Sequence, residues 1–223
     1  MAIVASGEIS LGGNATATRS VACELARSGT AAICMNESEV RTLAARTTAA
    51  SAICMNDFYG KANVPAGLGC VYKGGYYAGV TYNNCTAYYL LIAPNASGCA
   101  CCIWKTTNTL TNNCSNVACN CMNGYWNTFT YLNNAAHPAG NWTATRSING
   151  FSDWYLPSRC ELQLLYTNKS VMPTGQFWGS GTFFSSTGVF GNTAYGTRFS
   201  DGTGYAFNPV STARVRAIRR API

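Results

Sequence analysis

The chain is poor in acid. It has eight Asp and Glu against fifteen Lys and Arg, and one histidine. Charged residues are 10% of the total, far below the usual quarter or so, so solubility rests on plentiful Asn, Thr, Ser, Gly and Tyr. Each shortage removes a class of function. Paired-carboxylate glycoside hydrolysis needs two acids across a cleft, and no spacing here singles out a pair. A nucleophile–base–orienter array needs an imidazole or a substitute beside Ser or Cys. The one imidazole, His137, directly precedes Pro138, and no Gly-x-Ser-x-Gly elbow occurs. His137 therefore reads as a loop or structural residue, and the chain is expected to be no enzyme and to use no cofactor. No apolar run approaches the ~20 residues that span a bilayer, so no membrane insertion is expected. The opening Met1-Ala2-Ile3-Val4-Ala5 passes straight into Ser6, Gly7 and Glu8 and does not resemble a secretory signal.

Scarce acid leaves a net charge of +7. Arg214, Arg216, Arg219 and Arg220 form the dense basic cluster, but Arg214-Val215-Arg216-Ala217 alternates as a half-buried strand does. A nucleic-acid reader wants a basic stripe within a recognisable motif, so no nucleic-acid partner is expected.

Cysteine is abundant, with twelve in the chain. Such density points to disulfides in an oxidising place, or to a metal site in a reducing one. Structural zinc sites favour cysteines two to four residues apart. Cys99-x-Cys101 and Cys119-x-Cys121 are closer than that, and Cys114 and Cys119 slightly farther. Cys99, Cys101, Cys102, Cys114, Cys119 and Cys121 are therefore expected to staple an irregular insertion at about 99–121 by disulfides, with no metal bound. Cys70 and Cys85 are expected to close a hairpin. Cys160 has the setting of a buried thiol.

Two stretches repeat: Ala32-Ile33-Cys34-Met35-Asn36-Glu37 and Ala52-Ile53-Cys54-Met55-Asn56-Asp57. The offset of about twenty residues suits a repeated supersecondary unit. Asn36-Glu37-Ser38-Glu39 resembles a capping box, and Val40, Leu43 and Ala44 follow at helical spacing. Residues 1–64 thus read as a small module of short helices, too small to bury much alone, which docks on a partner or on its own copies. Cys23, Cys34 and Cys54 are either small apolar core residues or interchain disulfide partners.

Val64-Pro65-Ala66-Gly67 reads as a linker. From there to 223 the pattern is β-rich, with strand-like runs such as Ala87–Ile92. One clear helix follows Pro157, capped by Ser158 with Glu161 three residues on, and a second is indicated near Tyr125–Asn134. The expected fold class is α+β. Between Gln176 and Tyr205, aromatics alternate with Asn, Ser and Gly, a composition suited to recognition surfaces. Trp178, Asn192, Tyr195 and Tyr205 are the candidate receptor contacts.

Gly150-Phe151-Ser152-Asp153-Trp154-Tyr155-Leu156-Pro157-Ser158, followed by Glu161-Leu162, Phe183-Phe184-Ser185-Ser186-Thr187 and Val215-Arg216-Ala217-Ile218-Arg219, resembles the ordered signature of the DUF1566 family. The resemblance covers about 68–220 and departs from the family at Phe183-Phe184, where a Trp is usual, and in the cysteine-rich insertion. It implies a C-type-lectin-like domain of the sort found at phage receptor-binding tips. Phe207-Asn208-Pro209-Val210 lacks the acids of calcium-dependent sugar sites, so calcium is not expected. Gly7–Leu11, Arg19–Leu25, Ser38–Leu43 and Asn56–Lys61 resemble an N-terminal segment of phage tail proteins, especially those of cyanophages. Together the resemblances imply a virion tail-fibre protein that is usually a homotrimer. Its residues 1–64 would dock on a baseplate or tail protein, and its 65–223 head would bind a bacterial surface glycan or protein. The alternative is a purely structural capsid or tail decoration protein.

Overall fold

The computed structural model describes residues 21, 25, 33–35, 37–45, 53, 65, 67–108, 122–177, 181–189 and 193–223. The chain divides into two compact units, Met1–Val64 and Pro65–Ile223. It is mixed α+β. Among the described residues no helix is long and apolar enough to cross a membrane.

In the first unit, α1 spans Ser38–Leu43. Its N-cap is Glu37 and not Asn36, which lies outside the described residues, and Glu37 makes no side-chain cap bond. Instead its Oε1 accepts the backbone N–H of Cys34 at 3.2 Å, tying the repeat segment to the helix start. The spacing of Val40, Leu43 and Ala44 buries one face, which packs with Val21 and Leu25 and against Ile33, Met35 and Ile53.

The second unit has two sheets. The first is antiparallel, in the order β1 (Val71–Tyr72), β2 (Gly75–Asn83), β3 (Thr86–Ile92), β9 (Ile218–Pro222). The second has the order β4 (Cys99–Ile103), β8 (Thr212–Arg216), β5 (Thr182–Val189), β6 (Thr193–Arg198), β7 (Gly204–Phe207). A single residue, Ala217, separates β8 from β9, so one run of chain serves both sheets. On the other side of this ribbon, β3 leads to β4 through the single turn α2 (Asn95–Gly98). Ala217 joins the two: its carbonyl accepts from Ala93 and its N–H donates to Gly98. A Cβ on Gly98 would lie 2.1 Å from that of Ala93, so only glycine lets the two halves close up here.

This overturns part of the expected insertion. Residues 99–103 are the edge strand of the second sheet, paired along β8 from Cys99↔Arg216 to Ile103↔Thr212, because the backbone ladder is satisfied there whatever the side-chain pattern. The arginine strand is also more deeply buried than a half-buried strand: Val215, Arg216, Ala217 and Ile218 have no exposed surface.

Between β4 and β5 the chain forms α3 (Gly124–Asn127), which widens into a π-helical turn at Thr128–Leu132, then α4 (Pro138–Ala144) and α5 (Arg159–Thr167). Helix α5 follows the sequence closely. Ser158 caps it, the box with Glu161 is complete, and Leu162 and Leu165 enter the core with Leu90, Ile92, Phe183, Phe199 and Ile218. Helix α4 was not legible as a helix. It starts after His137 with Pro138 in its first turn, a position where the missing N–H costs nothing.

Glu161 is 1% exposed and holds more than its own helix. Its Oε2 accepts from Ser158 N at 2.8 Å and Gly124 N at 3.1 Å, and its Oε1 accepts from the Tyr155 hydroxyl at 2.7 Å. Replacing Glu161 by Ala leaves these buried donors unpaired and should cost about 3 kcal/mol or more, against about 1 kcal/mol for Ser158→Ala. Urea denaturation of both variants checks this; equal losses would mean that Glu161 is only a cap.

Candidate functional site

A cleft of about 290 Å³ opens where the end of α5 meets the loop that leads to β5. After α5 the chain tightens into a 3₁₀ turn, Lys169–Val171, and then forms a β-turn over Pro173-Thr174-Gly175-Gln176. The turn is of type II, with Gly175 at φ 82° in the third position where a side chain would be strained. Lys169, Thr174 and Phe177 line the sides, and Phe199, fully buried, closes the floor.

Arg216 holds the loop in place. Its guanidinium is fully buried at the junction of the two sheets and meets no carboxylate among the described residues. Its donors reach Asn95 Oδ1 at 2.7 Å, the Ala93 carbonyl at 2.6 Å and Gln176 Oε1 at 3.1 Å. Gln176 Oε1 also accepts from Asn95 N at 2.9 Å, so both sides of the junction grip the turn. Burial lowers the Arg216 pKa to about 10, so it stays charged at neutral pH. Its charge lies 5.3 Å from the Phe177 ring centre, and Phe177 stacks on Phe199 at 5.0 Å. Lys169 sits 4.2 Å over the Tyr166 ring and donates through Nζ to the Phe199 carbonyl.

The cleft lining contains no carboxylate, imidazole or thiol, so it offers binding chemistry and no acid–base pair. Among the described residues no group of three His, Cys, Asp or Glu is placed to hold a metal. His137 lies elsewhere, buried against Trp104, with Nδ1 2.9 Å from Asn134 Oδ1.

The receptor-contact candidates separate. Trp178 and Asn192 lie outside the described residues. Tyr195 pairs across the β6–β7 ladder with Ala206, and Tyr205 with Gly196. Adjacent ladder positions point to opposite faces, so the two rings cannot form one contact surface. Each carries an arginine instead: Arg159 lies 4.5 Å from the Tyr195 centroid and Arg198 5.0 Å from that of Tyr205. The aromatic composition of 176–205 did locate Phe177. The legible signal that was missed is the Pro-x-Gly turn beside it.

The cysteines also need correction. Cys70 neighbours Tyr77, whose N–H it accepts, while Cys85 sits at the tip of the β2–β3 hairpin. Seven or eight residues of extended strand, roughly 25 Å, separate them, well beyond disulfide reach. Both are free thiols, as are Cys99, Cys101 and Cys102 on β4 and the exposed Cys34. Cys160 is exposed on α5, not buried. Cys23, Cys54, Cys114, Cys119 and Cys121 lie outside the described residues. Asp153, which the sequence shows only as part of the signature run, pairs bidentately with Arg219 at 2.7 and 2.9 Å.

Charge is partitioned between the units. The first has five basic and five acidic residues; the second has ten basic and three acidic, so the whole +7 belongs to it. Of its three acids, Asp153 is on Arg219, Asp201 is on Arg198 and Glu161 is buried.

No protein-family model matches the chain, and no curated protein matches it.

Burial, helped by the charge of Lys105, lowers His137 from its ordinary 6.5 to about 4. Its contribution to stability is complete above pH 6.5 and is lost as pH falls through 4, on the order of 2 kcal/mol. Glu161 works in the opposite sense: burial raises its pKa, which favours the folded state on the acid side. The test is therefore a difference. His137→Asn should lose less stability than the parent between pH 7 and 4, and parallel curves from the two proteins would rule out His137 as the titrating group.

Proposed function

We propose that this chain is a phage tail-fibre protein whose second unit is a C-type-lectin-like head that binds the bacterial surface, its first unit docking on the tail or baseplate. The observation that carries this reading is how the separated signature elements interlock. The Pro157 carbonyl accepts from Ser186 N at 2.7 Å, and Thr187 Oγ1 accepts from Arg159 N at 3.0 Å, so the helix start docks on the Ser-Ser-Thr strand. Tyr155 pairs with Ile218, and Asp153 with Arg219, so the same motif grips the closing strand. Trp154 is fully buried beneath Arg219. Residues that recur as an ordered set are thus those that one frame needs together, which supports the lectin-like resemblance and leaves the cleft and its rim for recognition.

The positive, acid-poor second unit suits contact with an anionic cell surface, and the neutral first unit suits protein–protein docking. The purified full chain should bind host cells saturably and strain-specifically, and should compete with intact particles for adsorption. Particles that fall apart without the chain, together with no cell binding, would favour the decoration role instead.

The exposed thiol of Cys34 in the first unit gives the docking a covalent option. Non-reducing electrophoresis of intact particles should show a species above monomer size that collapses on reduction and is lost in Cys34→Ser. A monomer band under both conditions would exclude the disulfide and leave only packing.

A further inference from the structure

We propose that the cleft between Lys169 and the Pro173–Gln176 turn holds one uronic-acid residue of an acidic polysaccharide, its carboxylate on Lys169 and its ring against Phe177. This rests on reading the second unit as the surface-binding head, and it goes further by naming the ligand and its seat.

Size comes first. At about 290 Å³ the cleft lies at the small end of small-molecule sites, roughly 300–1,000 Å³, and admits one ring of a chain with its neighbours outside. Charge comes second. An ammonium has three donors; Lys169 places Nζ on the Phe199 carbonyl and pairs with no carboxylate among the described residues. The lining brings no acid to compete for it. A cationic ligand is disfavoured by Lys169, by the buried charge of Arg216 behind Phe177, and by the unit's excess of ten basic over three acidic residues. A neutral sugar would leave the ammonium without a counter-ion. Shape comes third. Phe177 is half-buried, so part of its ring faces the cleft while its other contacts, to Phe199 and Phe183, fix its orientation. Ser170 and Thr174 are exposed on the rim and supply hydroxyls to those of the sugar.

The experiment is calorimetric titration of the full chain with a galacturonic-acid disaccharide and, separately, with the neutral galactose disaccharide. The acidic probe should bind more tightly, and its affinity should fall as salt rises. Lys169→Met removes the ammonium while keeping an unbranched side chain, and should weaken the acidic probe about tenfold or more and so remove its advantage over the neutral probe. Thr174→Trp, at an exposed turn position that accepts any side chain, should block the cleft and abolish binding with the thermal midpoint retained. Equal affinity for both probes, unchanged affinity in both variants, or full displacement by equimolar inorganic phosphate would each overturn the proposal. If neither probe binds while the chain still saturates host cells, the proposal for the cleft fails and the surface-binding reading stands. If cell binding is absent as well, both fail.

Discussion

The second unit depends on one buried carboxylate. Glu161 is 1% exposed, and burial raises its pKa, yet three donors from two segments are arranged around its carboxylate. Ser158 offers its N–H and caps the helix through its hydroxyl, Tyr155 offers its phenol, and Gly124 offers its N–H from the start of α3. A buried charge of this kind tolerates little error, because each missing donor costs more than a made bond returns. Gly124 shows how tight the fit is: a Cβ there would lie 2.5 Å from Glu161 Oε2, from the Leu156 carbonyl and from Ser158 N alike. The signature segment, α3 and α5 therefore take up their places together.

A second constraint follows from the shortage of acid. With three carboxylates for ten cations in this unit, arginine must find other partners, and it finds aromatic rings. Arg219 lies 3.9 Å from the Phe151 centroid besides pairing with Asp153, and Arg220 sits between Tyr88 and Tyr125 at 4.7 and 4.8 Å. Arg146 covers Trp142, Arg159 covers Tyr195 and Arg198 covers Tyr205. Two features of the composition that look independent, few acids and many tyrosines, are one device. The rings accept guanidinium groups at low desolvation cost, and the stems of the arginines cover apolar surface.

How much of this was legible depends on the range of the interaction. The α5 capping box is local, a Ser and a Glu three residues apart, and the sequence showed it in full. The strand-like run Ala87–Ile92 was local too, and it forms most of β3. What escaped was set by distant partners. Cys99–Ile103 reads as a cysteine-rich loop because its strand character comes from pairing with β8, more than a hundred residues later. The role of Asp153 was hidden because Arg219, which claims both its oxygens, is 66 residues away. Tyr195 and Tyr205 looked like one surface because composition carries no face; only the β6–β7 register puts them on opposite sides. The cleft lay half in view: Phe177 was within the aromatic stretch, but Lys169 and Phe199 meet only when α5 and β6 pack.

The arrangement of charge also bears on how the second unit meets other molecules. A carboxylate paired with an arginine removes that arginine from the field seen at a distance. A tyrosine ring does not: its quadrupole acts at contact range and leaves the net charge intact. A protein that satisfies arginines on rings thus keeps their charges for long-range attraction, while the side chains themselves stay ordered and apolar surface stays covered. The positive field of the second unit is for this reason a consequence of its packing, and it persists out to the ~8–10 Å at which salt screens it. Long-range attraction of this sort gathers anionic surfaces without selecting among them. Under the proposed function, selection has to come from short-range geometry, and the Pro173–Gln176 turn, tied to the sheet junction through Gln176, Arg216 and Asn95, is the part of the cleft that would supply it.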